Sequence, residues 1–285
     1  MTEQKFASKA RRERIGRTAT YAVLILISVL WLLPFFYLIT QAFRGESAGM
    51  VNYVFPKRWS LNNFISLFRD TDFFRWFVNT LLVSLVVSAV QTAMVLMVSY
   101  SLSRLRFRGR RALMNLILVL GMFPGFMSMI AVYFILKLIG LTQSILGLIL
   151  VYTGSSGMGY YVAKGYFDTI PRALDEAARI DGADRHTVFL KIVLPLAKPI
   201  VIYTALMGFM GPWGDYMYAS LIAFGDPGSY NVAVGMYTFL DREHIAAYFT
   251  RFCAGGVVIA IPITLLFLWL QKYYVAGITG GSVKG

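Results

Sequence analysis

Six long apolar runs constrain this chain more than any other feature; they span roughly 19–43, 77–103, 112–136, 143–163, 199–224 and 252–271. Each is near the ~20 residues an α-helix needs to cross a hydrocarbon core of about 30 Å. In that medium every backbone N–H and C=O must be paired internally, so helices or closed barrels are the only solutions. Five of the runs carry no charged residue, and 199–224 carries one, Asp215. Composition agrees: 58% of residues are hydrophobic and 14% charged, against about 25% charged in a soluble domain. A disordered chain, a nucleic-acid-binding domain and most soluble enzymes are excluded. The predicted fold class is all-α, a polytopic membrane bundle of six transmembrane helices.

The placement of charge sets the topology. Lys5, Lys9, Arg11, Arg12, Arg14 and Arg17 precede the first run, as in a signal peptide. That run is too long for a signal core, however, and 41–44 lacks a small-residue cleavage site, so it reads as a retained helix. With the amino terminus inside, the segments 1–18, 104–111, 164–198 and the tail from Lys272 hold 19 Lys and Arg, whereas 44–76, 137–142 and 225–251 hold 8. Basic residues collect in cytoplasmic loops, so both termini are expected in the cytoplasm. The net charge of +13 is thereby accounted for without nucleic acid.

Catalytic chemistry finds no footing. The single Cys253 forms no internal disulfide or cysteine-based metal site, and His186 and His244 lie far apart in sequence. No catalytic residue and no metal ligand is predicted. The loop at 44–76 is the longest outer segment. Ser60 is placed to cap a short helix from Leu61 to Phe68, and Trp59, Phe64, Phe68, Phe73, Phe74 and Trp76 suit either an interfacial aromatic belt or a partner contact.

The segment 164–198 is longer than an ordinary helix–helix connection. Pro171 suits a first helical turn, and Asp175 and Glu176 suit the positive end of the helix dipole. Ile170, Leu174, Ala177 and Ala178 recur at helical spacing and predict one apolar face. Gly182 sits where a helix end takes a left-handed residue, Asp184 can cap a second helix, and Pro195 and Pro199 close the loop. The prediction is a helical hairpin whose small-residue crown admits another protein, with packing on its own bundle as the other reading.

In this loop Glu176-Ala177-Ala178, three residues, Gly182, nine residues and Ile192-Val193-Leu194-Pro195 follow one another. That pattern resembles the EAA loop of permease subunits of binding-protein-dependent ABC importers. The string 176–183 and the C-terminal 273–285 are similar to the carbohydrate-uptake branch, in particular the smaller permease of maltose-type transporters. The resemblance runs from about Phe77 to the end. It implies a type I ABC importer permease fold in a bacterial or archaeal cytoplasmic membrane, in which a second, different permease pairs with this one. It further implies two ATPase subunits that carry Mg-ATP, and an extracytoplasmic sugar-binding protein that delivers a sugar, first of all maltose or a maltodextrin. Glu176, Ala177, Ala178, Gly182, Ile192, Leu194 and Pro195 would then couple the permease to the ATPases. The chain has no Walker A sequence, so ATP hydrolysis belongs to separate subunits. The expected organisation is 1–76 (tail, first helix, outer loop), 77–274 (permease core with coupling loop 164–198) and 275–285 (cytoplasmic glycine-rich tail).

A charge at membrane depth is costly and marks a functional candidate. Asp215 lies in Gly211-Pro212-Trp213-Gly214-Asp215-Tyr216-Met217-Tyr218, where Gly and Pro predict a helix break. Trp213, Asp215, Tyr216 and Tyr218 are candidates for a sugar pathway, offering stacking faces and hydrogen-bond partners. The family often has Asn where this chain has Gly214. In the other reading Asp215 bonds backbone freed at the break. Phe123-Pro124-Gly125 predicts a second kink, for gating or for packing. An ion-coupled secondary transporter using Asp215 as its coupling group is the alternative function; it requires a second, repeat-related broken helix.

Overall fold

The computed structural model describes residues 2–46, 53–122, 125–241 and 245–280. Among them there is no β-strand, only an isolated antiparallel bridge between Arg44 and Trp59. In chain order the helices are α1 (Thr2–Ala42), α2 (Asn62–Asp70), α3 (Phe73–Arg104), α4 (Arg110–Met122), α5 (Gly125–Leu138) and α6 (Ile145–Gly154). They continue with α7 (Gly157–Thr169), α8 (Arg172–Ile180), α9 (Arg185–Leu196), α10 (Lys198–Gly214), α11 (Met217–Ala223), α12 (Val232–Tyr237) and α13 (Ile245–Gly280).

Among the described residues, three helices are long and apolar enough to span a membrane alone, at Arg14–Ala42, Phe73–Arg104 and Ile245–Lys272. Three pairs of shorter helices meet the same criterion together: α4 with α5, α6 with α7 bent by 45°, and α9 with α10 bent by 82°. Counting each pair as one span gives six. The run expected as one helix at 199–224 is instead two, α10 and α11, separated at Asp215-Tyr216. Alone, α10 is 17 residues, about 25 Å at 1.5 Å per residue. Of the third run's expected kink, Phe123 and Pro124 lie outside the described residues. Helix α13 continues to Gly280, beyond the expected start of a tail at 275, and 281–285 lie outside the described residues.

The chain divides into two compact units, residues 1–69 with 242–257, and 70–241 with 258–285. The first is organised around Arg44, whose side chain is fully buried. Its guanidinium donates to Gln41 Oε1 (2.7 Å) and to the carbonyls of Tyr53 (2.8 Å) and Val54 (3.1 Å), and lies 4.5 Å from the centre of the Tyr53 ring. A buried cation of this kind is tolerated only when donors and neighbours are matched. Asn63 Nδ2 donates to the carbonyls of Ala42 and Arg44, while Thr250 Oγ1 donates to Asn63 Oδ1. The Asn62 N–H donates to Ser60 Oγ at the start of α2. The aromatic cluster read into 44–76 is divided by the fold. Phe73 and Trp76 open α3 and are buried, because the transmembrane helix starts before the apolar run does.

In the second unit α3 is the central element. Its apolar positions Val83 and Val87 join Leu136, Leu148, Val151, Ala219, Ile222 and Val234 in one buried cluster. Its serines and glutamine form a polar seam that ties helices together. Ser88 Oγ donates to Ala205 O (2.7 Å), Gln91 Nε2 to Ser156 Oγ (3.0 Å) and Ser99 Oγ to Tyr160 O (3.0 Å). Small residues allow this approach; a Cβ on Gly208 would stand 3.1 Å from Ser88 Cα. Residues 226–240, expected as part of a plain outer loop, pack on the start of α3. Asn79 Nδ2 donates to the carbonyls of Gly228 and Tyr230, and the Val232 N–H donates to Thr80 Oγ1. Trp76 covers Gly235 so closely that a Cβ there would lie 2.1 Å from its ring.

Candidate functional site

The loop 170–197 forms the expected helical hairpin, and local chemistry explains each turn. Pro171 precedes α8 and supplies a fixed φ of −59°. At the other end Gly182 takes φ +86°, the left-handed conformation that a Cβ disfavours. The Gly182 N–H donates to Arg179 O (3.1 Å) and the Ala183 N–H to Ala178 O (2.9 Å). This pair of bonds closes the helix in a Schellman turn. Asp184 then caps α9, its Oδ1 accepting from the Thr187 N–H at 2.8 Å. Hydrogen bonding to Thr187, through its side chain first and its backbone N–H second, holds the Asp184 carboxyl below the usual carboxylate range. Helix α9 widens to π-type turns at Val188–Val193, with the Leu194 N–H donating to Phe189 O. The widening precedes Pro195, which has no N–H for the ordinary helical bond. The chain then turns by 82° at Ala197 into α10.

Two faces of α8 differ in partners. On the inner face Ala178 joins Ile170, Val188, Val193, Ala197 and Ile200 in a buried cluster. Beside it Asp175 Oδ2 lies 2.8 Å from Arg104 Nε, and Arg104 also donates to Ile170 O (2.9 Å). Arg172 donates to Ser103 O (3.0 Å), and Ser103 Oγ donates to Asp168 Oδ1 (2.6 Å). The end of α3 therefore grips both ends of the loop's first turn. On the outer face Leu174, Glu176, Ala177, Arg179, Ile180 and Gly182 are exposed, Ile180 to 87%.

This arrangement corrects the expected apolar face. Ile170 and Ala178 turn inward, but Leu174 and Ala177 turn outward. The rotation follows Asp175, which Arg104 draws toward the bundle. Ile192 and Leu194 are half-buried against the same inner cluster, and Pro195 is exposed. Glu176, Ala177 and Gly182 thus share the outer surface, whereas Ala178, Ile192 and Leu194 fasten the hairpin from within. Arg104 was legible only as one of a basic block, and Asp175 only as a dipole partner; their pairing needed the fold.

The second set of candidates is dispersed. Trp213 is buried, edge-on to Phe77 with ring centres 5.3 Å apart, and its indole N–H has no hydrogen-bond partner among the described residues. Asp215 has an extended backbone at the break after α10. Its Oδ2 accepts from the Tyr152 hydroxyl (2.6 Å) and its Oδ1 from the Tyr218 N–H (3.2 Å). Asn231 Nδ2 donates to the carbonyls of Pro212 (3.0 Å) and Asp215 (2.7 Å). These are the carbonyls that the break strips of helical donors. Tyr216 packs against Tyr237 with its ring tilted by 41° and the ring centres 4.4 Å apart. Of the four, Tyr218 alone borders a cavity of about 670 Å³, together with residues of α4 to α7. Tyr152 and Asn231 were not candidates in the sequence; a lone tyrosine in an apolar run and an asparagine in a loop carry no spacing signal.

The comparisons with known proteins agree with one another. Residues 95–280 match the model of the family described as "Binding-protein-dependent transport system inner membrane component". The chain is 37% identical to the maltodextrin transport system permease protein MdxG of Bacillus subtilis, over 98% of this chain and 99% of that one. It is 34% identical to the galactooligosaccharides transport system permease protein GanQ of the same organism, over 96% and 98% of the two chains. Among solved structures it is similar to a chain of a bacterial ABC transporter involved in the import of the acidic polysaccharide alginate. That likeness has a TM-score of 0.76 and 21% identity, and covers 93% of this chain and 98% of the other; it establishes the type I ABC importer permease fold. Membership of this family supports the importer reading over the ion-coupled alternative. The chain belongs to the family of inner membrane components of binding-protein-dependent transport systems.

Proposed function

We propose that this chain is one of two different permease subunits of an ATP-driven importer. Its cargo is a neutral oligosaccharide, maltodextrin-like in the first instance, delivered by an extracytoplasmic binding protein. The relatives named for maltodextrin and galactooligosaccharide transport support the cargo class. The observation that carries the mechanism is the division of α8 into an anchored face and an exposed one. Asp175 and Ala178 hold the helix to the bundle, so a push on Glu176, Ala177 and Gly182 is transmitted to α3 and α10. ATPase subunits carrying Mg-ATP dock on that exposed surface, two per transporter. Their closure on ATP moves α8 as a rigid lever, and the membrane helices follow. The glycine-rich tail from 275 extends on the same side, with both termini in the cytoplasm.

The test is uptake. Reconstituted in proteoliposomes with its partner permease, ATPases and binding protein, the complex is expected to accumulate labelled maltodextrin only with ATP on the ATPase side. Uptake without ATPases, or uptake driven by an ion gradient alone, would overturn the reading.

A further inference from the structure

Two interruptions of helical structure meet at one cavity, which the first residue of α5, Gly125, also lines. Ser155 lies in the break between α6 and α7, directly after Gly154 at the end of α6, and Tyr218 follows the break at Asp215-Tyr216. At membrane depth, backbone freed from a helix is tolerated where protein buries it or where it lines a wet cavity. Broken helices that converge in this way form the substrate sites of other membrane transporters. The cavity here measures about 670 Å³, within the range of about 300–1,000 Å³ usual for small-molecule sites.

The chemistry of the wall narrows the occupant. The Tyr218 hydroxyl donates to Gly125 O (2.7 Å), and Ser128 Oγ donates to the same carbonyl (2.8 Å). Ser155 Oγ donates to Val151 O (2.7 Å). Ser128 Oγ and the Tyr218 hydroxyl also lie 3.0 Å apart, and either can donate to the other; each hydroxyl hydrogen is committed within the chain, and lone pairs on the oxygens remain to accept. Such a wall complements a ligand rich in O–H donors. None of the described lining residues is charged, and a cation or carboxylate there would pay for desolvation without a counter-ion among them. Tyr160 and Tyr218 add aromatic faces, and isoleucine, leucine and methionine complete an apolar wall.

We infer that this cavity, bordered by Gly125, Ser128, Gly154, Ser155, Tyr160 and Tyr218, is a binding site on this chain for a neutral glycosyl unit in transit. The inference rests on the importer reading above and adds a location and a charge preference to it. It also separates Tyr218 from Trp213, Asp215 and Tyr216, which the fold uses for packing and for the break.

Gly154 provides the probe. A Cβ added there meets no atom within 4 Å, so a larger side chain projects into open space without displacing the helix. In the fully assembled transporter, Gly154→Leu is expected to assemble normally and to reduce maltodextrin uptake at least about tenfold. The pair Tyr218→Phe and Ser128→Ala together is expected to raise KM for uptake about tenfold, the scale of a net hydrogen bond lost. Independently, Gly154→Cys in a Cys253→Ser background is expected to react with a water-soluble maleimide. Saturating maltodextrin should slow that reaction, and an oligouronate should not. Wild-type transport with unchanged uptake in the variants and no protection of the Gly154→Cys thiol would overturn the site alone. Protection by the oligouronate as well would overturn its preference for neutral sugars. A wild-type complex that moves no neutral oligosaccharide would overturn the importer reading and the site together.

Discussion

Gly182→Arg and Glu176→Lys are expected to abolish ATP-dependent uptake while the chain still folds and inserts. At Gly182 the φ of +86° costs an L-residue about 1–2 kcal/mol, a local penalty at an exposed turn. No atom lies within 4 Å of an added Cβ, so the arginine meets nothing in its own chain. The loss therefore falls on whatever approaches the crown from outside. Glu176 is exposed on the same surface while its neighbour Asp175 is held by Arg104. Reversing Glu176 leaves that anchor intact and, in the proposed docking, would set like charges against any basic residue of an ATPase that approaches it. Gly182→Asn separates conformation from bulk, because asparagine enters the left-handed region more readily and projects less. It is expected to keep most of the uptake. The measurement is uptake in proteoliposomes beside complex assembly in detergent; equal uptake by Gly182→Arg and wild type would sink the docking role of the crown.

The largest effect on stability is expected at Asp215. Asp215→Leu leaves the Tyr152 hydroxyl and the Tyr218 N–H without the acceptors they now use at 2.6 and 3.2 Å. Both groups are half-buried, so leaving each unpaired costs toward the lower end of the about 1–3 kcal/mol found for fully buried groups. The break after α10 then loses its link to α6 and its cap on α11. Asp215→Asn keeps one carbonyl oxygen and is expected to be milder, and Tyr152→Phe milder still, because the Tyr218 bond survives. The expected order of thermal stability of the purified complex is wild type, Tyr152→Phe, Asp215→Asn, Asp215→Leu. Normal assembly of Asp215→Asn with altered sugar selectivity would contradict this structural role and return the residue to the pathway.

Much of the architecture was legible because membrane helices leave strong marks. Apolar runs of some twenty residues located the spans, and Gly182 with Asp184 announced the hairpin through turn chemistry alone. What could not be read were partnerships across the fold. Asp175 and Glu176 are adjacent acids in the sequence, yet one is clamped by Arg104 and the other faces out. Helical spacing grouped Leu174 with Ala178, but the ion pair rotates α8 so that only Ala178 is buried. Around Asp215 the break was legible from Gly211, Pro212 and Gly214. Its stabilisers, Tyr152 and Asn231, are separated from it by 63 and 16 residues and carry no periodicity of their own. The hydroxyl cavity was equally hidden, because Ser128, Ser155 and Tyr218 come from three different spans.

If the outer face of α8 meets the ATPase subunits, a probe placed on it reaches them and cross-links. Ile180 and Leu138 are each 87% exposed, and the charge pattern assigns them to opposite sides of the membrane. A photoactivatable probe attached through Ile180→Cys, in a Cys253→Ser background, is expected to yield a covalent product with the ATPase subunit in the assembled complex. The same probe through Leu138→Cys is expected to yield none. ATPase capture from Leu138→Cys but not from Ile180→Cys, or from neither, would contradict the account.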